Sequence, residues 1–400
     1  MVDFTVPEET QLIVRGLRSF LEKEVKPLEE RYKRFLEDER ARLREDGRLV
    51  PEFQEVLDHV RRRSAELGYY GMHMPEEVGG GGVGRVGMAL AFKEVFRHGL
   101  GLNVVVLAGP EGPSPMLLHL PEAQREKYLY PLMRGEKTTC FALTEPEAGS
   151  DIKNLKTTAV KKGDRYVLNG MKTFITNAVD ADFAQVFAVT DPTLYKEHGY
   201  LGVTAFVVDR DTPGYQVGRV NRSLLDDGAQ AELIFEDCEV PAENVIGQEG
   251  QGFYTAMSWL TVGRLNVAAM SVGLAHYLLE QSVEYARQRT AFGKPIGKYQ
   301  HVRGMLAESA AELEAAERLL LYVAWRFDQG QDVIKESSMA KWFCTQALYR
   351  LADRAVQVHG GMGVMKELSI ERIFRLARVL RIVEGTDEIQ KETIAKGLGL

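Results

Sequence analysis

Arg381-Ile382-Val383-Glu384-Gly385-Thr386-Asp387-Glu388-Ile389-Gln390 decides how this chain of 400 residues is read. Before it, Leu368 to Ile382 carries apolar residues at helical spacing with arginines between them. At Val383 the pattern stops. A carboxylate, a glycine and a threonine follow, and a fresh helical run opens at Asp387 with acids in its first turn, where a helix dipole favours them. The spacing predicts a helix, a tight glycine corner and a second helix. A carboxylate at such a corner is held by two rigid elements, which suits a base that must meet one particular carbon. Alone, the segment reads more simply as a helix break with an exposed glutamate, so the rest of the chain has to decide.

Working outward, Phe253 to Ala286, His301 to Gln329 and Ile334 to Val358 each read as amphipathic or fully buried helices, and the segment around Glu384 closes a fourth. Four such helices joined by short glycine-containing links make a bundle. Upstream the period is two instead: Thr139 to Thr144, Arg165 to Asn169, Ala184 to Val189, Thr204 to Val208 and Ala231 to Phe235 alternate like strands. Turn residues separate them at Lys162-Gly163-Asp164, Asn169-Gly170, Asp211-Thr212-Pro213-Gly214 and Asp226-Asp227-Gly228. Short strands without long helices between them predict an antiparallel sheet or barrel. From Pro7 to about Lys137 the period is helical again, with Gln11 to Val25, Phe53 to Leu67 and Met116 to Arg134 as helices. The expected fold class is α+β: an N-terminal all-α domain (1–137), a central antiparallel β domain (138–250) and a C-terminal four-helix bundle (251–400).

Leu28 to Asp46, dense in Glu, Arg and Lys, reads as a solvated helix projecting as an arm. Gly82-Val83-Gly84-Arg85-Val86-Gly87 matches Gly-x-Gly-x-x-Gly, but the residues before it are a glycine-rich run and not the buried strand that a dinucleotide fingerprint needs. It reads as a loop before a helix starting near Met88.

A net charge of −7 leaves no basic surplus for nucleic acid. Cys140, Cys238 and Cys344 are too scattered for a disulfide framework or a metal site and suit a reducing compartment. The first residues carry acids where a signal peptide needs bases and an apolar run, and no stretch is apolar enough to span a bilayer. The expectation is a cytoplasmic protein.

Three further stretches carry chemistry. Phe141-Ala142-Leu143-Thr144-Glu145-Pro146-Glu147-Ala148-Gly149-Ser150-Asp151 is a strand ending in a loop rich in hydroxyls and backbone donors, able to bind a planar heterocycle or simply to form a capped turn. Lys172-Thr173-Phe174-Ile175-Thr176-Asn177 offers an aromatic and a threonine to one face of a flat ring, and alone is just strand. Arg287-Gln288-Arg289-Thr290-Ala291-Phe292-Gly293 supplies guanidinium groups for a pyrophosphate, and Gln357-Val358-His359-Gly360-Gly361-Met362-Gly363 a glycine-rich helix end that a nucleotide can approach closely. His359 alone reads as a structural histidine.

In this order and combination, Thr-Glu-Pro-x-Ala-Gly-Ser-Asp, Arg-x-x-Phe-Gly, Gln-x-His-Gly-Gly and Glu-Gly-Thr resemble the acyl-CoA dehydrogenase family of flavoproteins over nearly the whole chain. The resemblance implies the same three-part fold, one non-covalent FAD per subunit and a homotetramer built as a dimer of dimers. It implies that Phe141, Leu143 and Thr144 contact the isoalloxazine, with Phe174, Ile175 and Thr176 on its other side. Ser150 would lie near the flavin and the pantetheine arm of an acyl-CoA substrate. Arg289, Phe292, Tyr299 and Gln300, with Gln357, Val358, His359, Gly360 and Gly361, would reach FAD across a subunit interface. Thr386, Asp387 and Glu388 would hold its diphosphate and ribityl region. Thr261, Arg264 and Gly385 would meet substrate, and no metal is implied.

Glu384 would be the base, removing the α proton while a hydride leaves the β carbon for the flavin. Two aids are then required: donors for the thioester carbonyl, including the main-chain N–H of Glu384, and desolvation that raises the pKa of the carboxyl. The product would be a trans-2-enoyl-CoA, in fatty acid β-oxidation, with electrons passed to an electron-transferring flavoprotein. The alternatives are an oxidase or monooxygenase of the same fold reoxidised by O2, and a non-catalytic binding protein. Some relatives carry the glutamate on the helix that here reads Leu260 to Leu265, where this chain has Gly263. Two departures concern substrate contacts: Thr261 stands where relatives often have aspartate, and Val383 where they often have an aromatic.

Overall fold

Thr139–Ala142 forms β1, the first strand of an eight-stranded sheet completed by β2 Thr158–Lys162, β3 Arg165–Thr176, β4 Phe183–Val189, β5 Val203–Asp209, β6 Tyr215–Asn221, β7 Gln230–Pro241 and β8 Val245–Ile246. These come from a computed structural model that describes residues 6–225 and 230–400. The sheet belongs to a unit made of Glu39–Gly82 and Val105–Leu260, and the described part of Met1–Asp38 joins Val83–Val104 and Thr261–Leu400 in a second, helical unit. The strand order is β6-β7-β3-β2-β4-β5-β8, mostly antiparallel, with β1 parallel to β4 in the register Thr139 to Phe183 through Ala142 to Val186. The sequence explains the layers. In β7, Ala231, Leu233 and Phe235 alternate inward, whereas every residue of β4 is buried, as its nearly continuous apolar run requires.

In the helical unit, the helices Gly252–Gln288, Gln300–Asp328 and Ile334–His359 are the first three of the bundle, the first beginning nine residues before the unit boundary at Thr261. Ile370–Leu380 and Asp387–Gly397 both pack on Ile334–His359, so the two arms of the glycine corner share one support. The helix Arg85–Phe96 packs on Gln300–Asp328 and on Glu8–Phe20. Its N-terminus explains the decoy glycine motif: Asp328 accepts hydrogen bonds from Arg85 N at 2.6 Å and Val86 N at 2.9 Å. The anion that this helix end attracts is the protein's own.

Several local expectations are corrected. Leu28 to Asp46 is not one continuous helix: two short α-helices meet at Tyr32 and end at Glu37, a 3-10 turn follows at Glu39–Arg42, and Glu39 and Arg42 are buried, the Arg42 guanidinium lying 5.6 Å from the Phe53 ring centre. Most of its charged residues are exposed as expected, and Arg42 is an exception because a long arginine stem packs well on an aromatic. Met116 to Arg134 is interrupted after His119 and contains a π turn at Arg125–Leu129. A second π turn, Leu21–Val25, interrupts Gln11 to Val25. Each π turn ends two residues before a proline, Pro131 and Pro27, and a widened turn accommodates a residue that has no N–H and crowds the preceding carbonyls. Asn169-Gly170 is not a turn but a bulge within β3, where a Cβ on Gly170 would meet Thr157 Oγ1 at 2.5 Å. The strands β2, β6 and β8 and the short helix Pro192–His198 were not anticipated. The turn expected at Asp226-Asp227-Gly228 lies outside the described residues.

Two buried carboxylates tie the helical unit together. Glu94 takes Arg18 Nε at 2.7 Å and has His98 at 3.7 Å, and Glu317 takes Lys93 Nζ at 2.8 Å with His276 Nε2 at 2.7 Å. Burial alone would raise both carboxyls, but these partners outweigh it and hold each at about 2. Because the folded values lie below the unfolded ones, each pair stabilises fully above about pH 4.5 and is lost as the pH falls toward 2. Each is expected to contribute on the order of 2 kcal/mol. Thermal midpoints measured from neutral pH downward should fall less steeply in Glu317→Gln than in the parent; parallel curves would disprove the contribution.

Candidate active site

The corner expected from the sequence is present, and it is left-handed: Glu384 has φ +55° and Gly385 φ +89°. A glutamate seldom adopts this backbone, so the surroundings must impose it. They do so from three directions. Gln390, fully buried in the last helix, donates from Nε2 to the carbonyls of Glu384 and Gly385, both at 2.9 Å. Lys341, fully buried in the third bundle helix, donates from Nζ to the Gly385 carbonyl at 2.8 Å. Asp387 accepts from Arg381 Nε at 2.8 Å and Gln346 Nε2 at 2.6 Å, and its own N–H closes onto the Arg381 carbonyl. Thr386 caps the last helix through Ile389 N.

The Glu384 side chain does not point into bulk water. Its Oε2 is buried and, among the described residues, has no hydrogen-bond partner. Burial pushes the carboxyl up to about 7, with Arg264 and Lys341 restraining the rise by their charge. The Glu384 N–H likewise meets no acceptor among the described residues. Beneath the carboxyl lies Gly263, where a Cβ would come within 2.7 Å of Oε2 and 2.9 Å of Cδ. Position 263 and the Glu384 carboxyl are therefore neighbours in space, and a side chain at 263 would displace the carboxyl. Arg264 is 5% exposed, donates from Nη1 to Ser338 Oγ at 3.3 Å, and its Nε has no partner among the described residues. Thr261 is half-buried one turn earlier on the same helix.

In the sheet unit, the segment after β1 is anchored by a buried ion pair that sequence reading missed. Lys172 donates to Glu145 Oε1 at 2.7 Å and to the Leu143 carbonyl at 3.1 Å, and Glu145 also accepts from Thr157 N at 3.1 Å and from Lys156 N. Burial works against the Glu145 carboxylate, but Lys172 and these donors keep it ionised, its pKa below the ordinary value. Thr173 N donates to the Thr144 carbonyl at 2.9 Å. Leu143 and Ile175 are buried, so their main chains are what they offer a ligand; Phe141 is half-buried against Phe187, and Ser150 and Thr176 are exposed. Phe174 is 63% exposed at φ +56°, an apolar ring set out on a strained strand end.

The remaining candidates in the helical unit form two groups. Arg289, Val358, His359, Gly360 and Gly361 line a trough of about 570 Å³ with Tyr285, Ile296, Met362 and Met365, and Gln357 is exposed beside them in sequence. A Cβ added at Gly360 or Gly361 would meet nothing within 4 Å, so the trough floor admits close approach by a ligand. His359 bonds Ala355 O through Nδ1 at 2.8 Å and packs against Tyr285, as a structural histidine does, and burial favours its neutral form. The hairpin Thr290–Ala291 and Lys294–Pro295 holds Phe292 at its tip, 96% exposed, while Tyr299 OH bonds the Ala291 carbonyl; Gln300 opens the next helix. An apolar trough with a guanidinium at its side, open glycine backbone and presented aromatic rings suits an aromatic nucleotide with a diphosphate. Of the expected cofactor contacts around the corner, Thr386 is half-buried, Glu388 is exposed and Asp387 is turned inward to Arg381 and Gln346.

Comparison with known proteins bears on these groups. Family models match over residues 7–136 (acyl-CoA dehydrogenase, N-terminal domain), 140–238 (middle domain) and 250–399 (C-terminal domain). An acyl-CoA dehydrogenase of Bacillus subtilis (strain 168) is 38% identical over 395 residues, 98% of each chain. The caffeyl-CoA reductase-Etf complex subunit CarC of Acetobacterium woodii is 40% identical over 345 residues, 86% of this chain and 89% of the relative. The structure of butyryl-CoA dehydrogenase from Megasphaera elsdenii superimposes with a TM-score of 0.86 at 33% identity, covering 100% of both chains.

The Glu384 carboxyl should be visible in solution. Infrared titration of wild type minus Glu384→Gln is expected to show one carboxyl with a midpoint near pH 7, protonated below and ionised above. In Gly263→Ala the added methyl displaces the carboxyl toward water, and the midpoint should drop toward the ordinary carboxylate range. A midpoint unmoved by Gly263→Ala would show that the two groups are not in contact.

Proposed function

The chain belongs to the acyl-CoA dehydrogenase family, FAD-dependent oxidoreductases that act on acyl-CoA, and from that premise we propose that it converts an acyl-CoA thioester to the trans-2-enoyl-CoA with Glu384 as the base. The observation that carries the assignment is the buried, partnerless Oε2 of Glu384 over Gly263. A carboxylate oxygen already hydrogen-bonded or solvated would be too weak a base for a carbon acid, and Oε2, among the described residues, is neither. Burial raises the carboxyl to about 7, near the working pH, with Arg264 and Lys341 preventing burial from suppressing the charged form further.

In this reading Oε2 of Glu384 receives the proton from the carbon α to the thioester. Charge then develops on the thioester oxygen, and the acceptor-free Glu384 N–H is the chain's donor for it. One such donor is typically worth about 3 kcal/mol of barrier. FAD, when bound, supplies the acceptor for the hydride from the β carbon. Phe141, Leu143, Thr144, Phe174, Ile175 and Thr176 would hold its ring system. Thr386, Asp387 and Glu388 would serve its diphosphate and ribityl region. Arg289, Phe292, Tyr299, Gln300 and Gln357 to Gly361 would serve the adenine half, from the neighbouring subunit of a homotetramer; a phenylalanine 96% exposed at a hairpin tip supports such a contact. Ser150, Thr261, Arg264 and Gly385 would meet the substrate. The free, buried cysteines suit the reducing cytoplasm.

An electron-transferring flavoprotein is the proposed acceptor, supported by a relative named as a subunit of an Etf complex. That relative is named a reductase, and a carboxyl poised near 7 can deliver a proton as well as take one. The second reading is therefore the same chemistry run toward the saturated thioester.

Anaerobic mixing with a panel of acyl-CoA thioesters should bleach the bound flavin for at least one of them, and Glu384→Gln should stay folded and yellow while bleaching about 10³-fold more slowly. Bleaching of Glu384→Gln at the wild-type rate would end the assignment. Reduced protein consuming O2 rapidly would favour an oxidase, and reoxidation by enoyl-CoA outpacing reduction by acyl-CoA would favour the reductive reading. Arg289→Ala should lose flavin on gel filtration without a lower thermal midpoint of the apoprotein; unchanged flavin content would refute that contact.

A further inference from the structure

We infer that Lys341 is the positioning residue of the base, its ammonium pinning the Gly385 carbonyl so that the left-handed corner presents the Glu384 carboxyl over Gly263, and its charge keeping that carboxyl ionised. The inference rests on reading Glu384 as the base. Lys341 has no exposed surface, and its Nζ lies 2.8 Å from the Gly385 carbonyl oxygen. It projects from a helix stripe of buried small polar residues, Ser337, Ser338 and Thr345.

A buried ammonium needs a reason, because an apolar side chain would fill the same slot without desolvating a charge. Holding the chain together is not enough of one. Gln390 already bonds the carbonyls of both Glu384 and Gly385, Thr386 caps the helix that follows, and Asp387 is tied to Arg381 and Gln346. What a neutral residue could not supply is positive charge beside a carboxyl whose Oε2 has no hydrogen bond from the described residues.

The charges around the pair are few. Glu384 is in the field of Arg264 from the first bundle helix and Lys341 from the third. Lys341 is in the field of Asp387, Glu384, Arg264 and Arg381. Burial brings Lys341 down to about 8, with Asp387 and Glu384 opposing the fall, so it is charged at neutral pH and becomes neutral not far above. Arg264 keeps its charge, but its one side-chain bond runs to Ser338 and not to the corner. Lys341 alone of the two both fixes the corner's backbone and acts on its carboxyl.

The test uses the FAD-loaded protein with Lys341→Met, Lys341→Gln and Lys341→Arg. Two quantities are read: the pH dependence of anaerobic flavin bleaching, and the infrared midpoint of the carboxyl that disappears in Glu384→Gln. Removing a positive charge raises a neighbouring carboxyl's pKa, so in Met and Gln the acid limb and the midpoint should both move upward, by on the order of one pH unit. Met also loses the bond to Gly385 and should bleach about tenfold more slowly than Gln, which keeps a donor. Arg should return the midpoint close to wild type. Folded, yellow Lys341→Gln with limb and midpoint unchanged would overturn the inference, and this variant decides if Met does not fold. If Glu384→Gln still bleaches at the wild-type rate, the base assignment falls, and the infrared midpoints still decide whether Lys341 acts on that carboxyl.

Discussion

A carboxyl oxygen, Oε2 of Glu384, buried with no hydrogen bond from the described residues is the feature on which this structure turns. Burying an ionisable group is unfavourable, and the protein offsets it here with charge at a short remove and not with contact: a guanidinium on the first bundle helix and an ammonium on the third. Direct pairing would have stabilised the carboxylate and weakened it in the role of base proposed for it. The architecture follows from keeping those charges near without letting them touch. Ile334–His359 supports both arms of the corner and supplies Lys341 and Gln346, and Asp387–Gly397 supplies Gln390.

The sheet unit meets a different demand by the opposite means. The Glu145–Lys172 pair is in direct contact, almost wholly buried, and further satisfied by the backbone at Leu143, Lys156 and Thr157. A pair so satisfied does not titrate into service; it fixes where the chain after β1 runs relative to β3. One unit thus holds a carboxylate in direct pairing, and the other holds one whose Oε2 has no hydrogen-bond partner among the described residues. The difference lies in hydrogen bonding more than in depth of burial.

Much of this was legible in the sequence where one physical signal dominated. The four bundle segments emerged from helical periodicity within a few residues, and the corner at Glu384 from the break in that periodicity. Misreadings arose where two signals competed. At Leu28 to Asp46 charge density suggested solvent, but Arg42 packs its stem on Phe53. At Asn169-Gly170 turn composition concealed a bulge whose glycine is demanded by Thr157, a residue of another strand's approach that spacing cannot reveal. The residues that hold the corner were missed for a related reason. Lys341 and Gln346 lie some forty positions earlier, and nothing in the spacing ties the Gln390 amide to the carbonyls of Glu384 and Gly385. A lysine at a buried helical position between Ala340 and Cys344 was nonetheless a readable anomaly, since the period of that helix places it inward.

The contact between Gly263 and Glu384 also constrains how such a catalyst can change over generations. A side chain added at 263 enters the volume that the Glu384 carboxyl occupies, and because that carboxyl ends a flexible side chain, it can give way by turning. A substitution at 263 is therefore felt first as a displaced carboxyl and not as an unfolded protein. The residue tolerated at one position depends on the residue at the other through a 2.7 Å approach.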